Sequence, residues 1–416
     1  MRNLLCLCLC FTFIATSCSD SSKKNQDILN EIKVTQTSPN EDLFIIDFDK
    51  LNTKSKIFTS DFFSSVDIIE LESSEASFIG KINKLVNHKD MFIVLDRTYA
   101  KGVYLFDNEG RFIRKFGMRG DGPGEYSNIS DFTIDRTENI IYTLDNQKQQ
   151  INWYDINNGE FINSIRIQDD LTKSFRLQQV DSIMYLDAYF PPGYPANFAL
   201  QSIDLKSGKR NLCWLEPVNY NKGWNEIYFT EQELFISEVN EYALMNQLLS
   251  DTIIKITSNK VQPYLAIKGR DILTTNDLND ETEDSFENVY SNLTFKNKIY
   301  SRNNYAEFGK YIYFTYFKKN IIQFLFFDKD SQSSEMTNIF LDDLVFTEDI
   351  MNTILPDFHY SDSSYVYNVI QPYKYEQLKE LIKNELINEN VIHELKNLNI
   401  HENSNPIILK YKIASD

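Results

Sequence analysis

Three glycines set two residues apart, Gly120, Gly122 and Gly124 in Gly-Asp-Gly-Pro-Gly-Glu, have the spacing that most invites chemistry, because bare backbone amides at such a turn can cradle a phosphate. A phosphate loop also needs a helix behind it and usually Lys-Ser or Lys-Thr, whereas this chain runs on into the strand-like Phe132-Thr133-Ile134-Asp135. The loop therefore reads as a joint between two strand-bearing units. Its glycines supply unusual backbone angles, Pro123 stiffens the turn, and Arg119, Asp121 and Glu125 position it. Metal or general-base chemistry finds no pattern: His88, His359, His393 and His401 stand at no ligand-like spacing. No catalytic residue, metal or cofactor is expected. Asp96, Asp107, Asp145 and Asp155 recur at equivalent places in a repeat and read as turn caps. Cys213, beside Trp214, reads as a small core residue. The residues best suited to contact a ligand are aromatics in loops: Tyr189 and Tyr194 in Tyr-Phe-Pro-Pro-Gly-Tyr-Pro, and Tyr220 and Trp224 in Tyr-Asn-Lys-Gly-Trp.

The elements that must position these residues show first between Ile93 and Ile167. Ile93–Asp96, Val103–Asp107 and Gly110–Ile113 are matched by Tyr142–Asp145, Ile151–Asp155 and Gly159–Ile162, and Asp96 to Asp145 spans 49 positions. Four-stranded propeller blades repeat at roughly 40–50 residues. Further strand pairs follow at Ile183–Asp187 and Ala199–Asp204, at Glu233–Ile236 and Asp251–Ile256, at Lys310–Thr315 and Ile322–Asp328, and at Tyr365–Ile370. The expectation is an all-β, six-bladed β-propeller over 42–416. Leu378, Leu381, Ile382, Leu386, Val391, Ile392, Leu395 and Leu398 recur near helical spacing, which predicts one long helix or two short ones over 375–399, covering the propeller. Asn405-Pro406 ends that segment. A last strand over 406–413 is expected to close the ring by completing the blade that begins near Leu43.

The N-terminus predicts export. Arg2, an apolar run of about 11 residues from Leu4 to Ile14, and Ala15-Thr16-Ser17-Cys18 read as a signal peptide over 1–17, too short to span roughly 30 Å of hydrocarbon. The last four residues resemble the bacterial lipobox, which implies lipidation of Cys18. Residues 18–41, rich in Ser, Asn, Lys and Asp, read as a flexible tether. Cys6, Cys8 and Cys10 leave with the signal and Cys18 carries lipid, so only Cys213 remains and no intramolecular disulfide can form. A formal net charge of −18 argues against nucleic acid as a partner.

Lys115–Tyr126 followed by Asp131–Asp135 resembles NHL-type propellers. Asp251–Ile256 with Pro263-Tyr264, and the ending Glu402–Leu409, are similar to the six-bladed propeller lipoproteins of Bacteroidetes. This resemblance implies an envelope protein anchored through Cys18 to the outer membrane, on its periplasmic side or at the cell surface. It supplies no catalytic residue. The leading reading is a non-catalytic binding or scaffold protein for a glycan, a peptide or an envelope protein; the alternative is a lactonase, lyase or hydrolase acting at the central channel.

Overall fold

The computed structural model describes residues 33–38, 43–169, 171–190, 197–220, 234–236, 241–247, 249–258, 260–274, 276–277, 297–299, 302–319, 321–347, 356–398, 400–401 and 404–415. They form six antiparallel blades of four strands, each twisted sheet packed face to face against its neighbours around a central channel. Blade 1 comprises Lys84–His88, Met91–Asp96, Gly102–Phe106 and Phe112–Phe116. Blade 2 comprises Ile129–Asp135, Ile140–Asp145, Gln150–Asp155 and Phe161–Arg166, and blade 3 Leu177–Val180, Ile183–Asp187, Leu200–Ile203 and Arg210–Trp214. Blade 4 is Phe235–Ile236, Tyr242–Met245, Thr252–Thr257 and Val261–Lys268; blade 5 is Asn303–Phe308, Tyr311–Lys318, Ile321–Asp328 and Ser333–Thr337. The second strands read as unbroken apolar runs because blades cover both of their faces. Phe92, Ile93, Val94 and Leu95 are all fully buried.

Blade 6 closes the ring by joining the two ends of the chain. Phe358–Ser361, Tyr365–Ile370 and Ile407–Ile413 come from the C-terminal end, and the outermost strand, Phe63–Glu70, from the N-terminal end. The final strand thus closes the ring, with one correction: its partner is Phe63–Glu70, not a strand near Leu43. Phe44–Asp47 instead pairs in parallel with the outer strand of blade 4, and Asn52–Thr53 with that of blade 5. Ahead of them the Thr35 amide donates to the Cys213 carbonyl of blade 3 and the Ser38 amide to the Val261 carbonyl of blade 4, both at 2.8 Å. Residues 33–38 and 43–58 are therefore a strap across the outer edges of blades 3 to 5. Strand edges left bare would invite pairing with other chains. Within the stretch read as a tether, 33–38 is attached to the body; the remainder of 18–41 lies outside the described residues.

The helical periodicity resolves into two short helices, α1 (Tyr375–Lys383) and α2 (Glu389–Asn397), inserted between the second and third strands of blade 6. Leu378, Leu381, Val391 and Leu395 are buried against the aromatic core shared by blades 5 and 6, where Phe62 stacks on Phe326 at 4.5 Å. Asn405, just ahead of the last strand, does more than stop a helix. Its side chain accepts from the Ile79 amide at 2.7 Å and donates to the Glu72 and Ser77 carbonyls, fixing the crossover from blade 6 to blade 1.

Candidate functional site

The repeated aspartates at the ends of second strands set the geometry of the channel mouth. Asp96 is fully buried; one of its oxygens takes the Gly80, Lys81 and Ala100 amides and the other the Thr98 and Tyr99 amides. Asp145 does the same for Ser127, Gln147 and Lys148. At the outer hairpins, Asp107 accepts from the Glu109 and Arg111 amides and Asp155 from the Asn157 amide. All four are the turn caps that their spacing predicted. The glycine loop is likewise a joint: the Glu125 carboxylate takes the Gly122 amide, Lys148 donates to the Gly120 carbonyl, and Tyr154 donates to the Gly124 carbonyl. Gly124 sits at φ +73 with the Phe161 ring where a Cβ would stand, so no larger residue fits there.

Asp187 is the third member of this series and differs from the first two. One oxygen accepts the Phe175 and Arg176 amides at 2.7 and 2.8 Å; the other is buried without a hydrogen-bond partner. Burial pushes its carboxyl up to about 6 from 3.8. Asp342, buried beside Tyr411 and Thr59, is pushed up to about 6 for the same reason. Because the folded values lie above the unfolded ones, the native state binds the extra protons, and the contribution of these two groups to stability rises as pH falls from 7 through 6 toward 4. Asp187→Asn is expected to flatten this rise, and to raise stability at pH 8 by about 1 kcal/mol. Urea melts at pH 5 and pH 8 check it.

All six innermost strands line a central cavity of about 350 Å³, at the small end of the roughly 300–1,000 Å³ typical of ligand pockets. Six neutral amides stand in its polar wall, Asn83 from blade 1, Gln178 from blade 3, Asn246 from blade 4, Asn303 and Asn304 from blade 5 and Gln371 from blade 6, beside the ionisable Lys81, Lys84, Arg136, Asp357 and His359. Phe132, Ile134, Phe235 and Phe358 supply apolar wall between them. Lys84 joins the lining but is held by Asp131 at 2.9 Å and by the Phe132 carbonyl, and Asp131 also takes the Leu177 amide, so this pair fastens blades 1, 2 and 3 together. Gln371 bonds both the amide and the carbonyl of Ile82, fastening blade 6 to blade 1. Arg302 does so for blades 4 and 5 through Asn246, Gln247 and Ser250. Where the innermost strands finish, Arg136 reaches from blade 2 past blade 1 to the Tyr360 hydroxyl of blade 6 at 3.1 Å. Among the described residues no group of three or more His, Cys, Asp or Glu could hold a metal ion.

A family model for a domain of unknown function, DUF4934, matches residues 43–412, nearly the whole described body. The chain belongs to the DUF4934 family. This DUF4934 propeller superposes on a protein of Bacteroides fragilis designated as exported, with TM-score 0.69 and 16% identity over 89% of this chain and 100% of that one. A member of the DUF4221 family from Bacteroides vulgatus matches with TM-score 0.48 and 11% identity, over 85% and 97% of the two chains. No curated protein matches the chain.

Of the aromatics singled out in the DUF4934 sequence, Tyr189 is buried, its backbone paired with Lys173 and its ring edge-on to Phe175, so it braces its loop. Tyr220 is half-buried and donates to Gln247. Tyr194 and Trp224 lie outside the described residues. Cys18 does as well. Cys213 is a buried free thiol under the strap, 3.5 Å from the Lys33 carbonyl, and burial pushes its thiol up. The channel amides were missed because they are scattered over some 290 positions and no local pattern marks them; only their shared place at the start or end of inner strands does.

Proposed function

We propose that this chain is an exported propeller, anchored through a lipid on Cys18, that binds a polar chain-like ligand at the mouth of its channel: a glycan, a peptide or a segment of an envelope protein. What supports this reading is the cavity, where side-chain amides from five blades converge at the end where the innermost strands begin. Side-chain amides give and take hydrogen bonds without charge, which suits hydroxyl and peptide groups. The signal-like start and the fold shared with a Bacteroides protein designated as exported support the location. A Cys18→Ala variant is expected to leave the membrane fraction and to lose labelling by a fatty-acid probe. For binding, Gln178→Leu combined with Asn303→Leu is expected to weaken ligand capture by about tenfold in calorimetry, since each lost bond is worth roughly 0.5–1.5 kcal/mol. Unchanged affinity would remove the channel from the function.

A further inference from the structure

Resting on that reading, we infer that the ligand is a glycan, and that Tyr99 is the platform on which one of its sugar rings stacks. Tyr99 lies in the turn between the second and third strands of blade 1, on the face of the ring where the innermost strands begin, and is 67% exposed although large and aromatic. It is nevertheless held in place. A Cβ on Gly80 would stand 2.7 Å from the Tyr99 ring, so the ring rests on bare backbone that only glycine provides. Asp96 fixes both sides of this contact, taking the Gly80 and Lys81 amides and the Tyr99 and Ala100 amides on one buried carboxylate. Lys81, next to Gly80, lines the cavity. An aromatic plane braced from behind, open in front and tied to a cavity lip is preorganised for stacking and loses little entropy on binding.

A second exposed ring belongs to the neighbouring blade. Tyr373 follows the second strand of blade 6, lines the cavity and is 71% exposed. Asn83 and Gln371 line the same cavity, Gln371 held on the Ile82 backbone and Asn83 accepting from the Arg97 amide. The C–H face of a pyranose meets an aromatic plane, and its hydroxyls meet the polar side chains that line the cavity beside it.

The test uses the full chain from residue 19, without its lipid, on an array of neutral and acidic bacterial, plant and host glycans alongside hexapeptides, followed by calorimetry with the best binder. The inference expects a glycan to bind, Tyr99→Phe to keep its affinity, and Tyr99→Ala to lose about tenfold. Gly80→Ala, which displaces the ring without removing it, is expected to lose about as much with an unchanged thermal midpoint. Full glycan affinity in Tyr99→Ala overturns the platform while leaving the channel reading intact. Capture of peptides with no printed glycan bound overturns the glycan and again leaves the channel. Binding that is indifferent to Gln178→Leu with Asn303→Leu defeats the channel reading itself.

Discussion

A chain beginning at Leu71 is expected to show no cooperative thermal transition by circular dichroism and to elute as aggregate in size-exclusion chromatography. Such a chain lacks Phe63–Glu70, whose residues from Phe63 to Glu70 pair with Ile407–Ile413 as the outer strand of blade 6. Without them blade 6 has three strands, the edge of Ile407–Ile413 is bare, and buried Phe63 and Ile69 are missing from two cores. A chain beginning at Thr59 keeps that strand and loses only the strap. It is expected to fold and to be about 3–6 kcal/mol less stable, the contribution of burying Ile46 and Ile57. Equal stability of the Thr59 and full-length chains in urea would show that the strap does not support the ring.

Lys84→Met is expected to cost about 3–5 kcal/mol, because it leaves Asp131 charged, buried and short of its cation. Lys84→Met combined with Asp131→Asn is expected to recover part of that loss, since the second substitution removes the stranded charge while keeping an acceptor for the Leu177 amide. A double-mutant cycle by urea unfolding measures the coupling. Additive losses would mean that the pair does not fasten the three blades as a unit.

The two predictions fall on different kinds of information. Lys84 and Asp131 stand 47 positions apart, close to one blade period, so the repeat aligns them on neighbouring innermost strands; that they meet depends on how closely adjacent blades approach the axis. The strap is harder to read. Phe44–Asp47 looks like any other strand, and its period says that one face is buried without saying against which blade. Only the parallel pairing of Phe44 with Leu265 and Asn52 with Glu335 shows that it runs outside the ring. Tyr189 illustrates the opposite case: a loop aromatic in a proline-rich stretch looks like surface, yet its ring turns inward against Phe175.

By itself the sequence determined the blade repeat, the position of most strands, the turn caps at Asp96, Asp107, Asp145 and Asp155, a helical insertion before the last strand, and the role of the glycine loop as a joint. These features rest on local physics: side-chain periodicity, backbone angles that glycine alone adopts easily, and carboxylates that bond the nearest free amides. Tertiary structure alone decided which strand closes the ring, where the N-terminal strap lies, and that six amides from five blades line one cavity. Those relations join residues as far apart as Phe63 and Ile413, and a closed ring brings them together through the sum of six blade rotations, which no window of sequence contains.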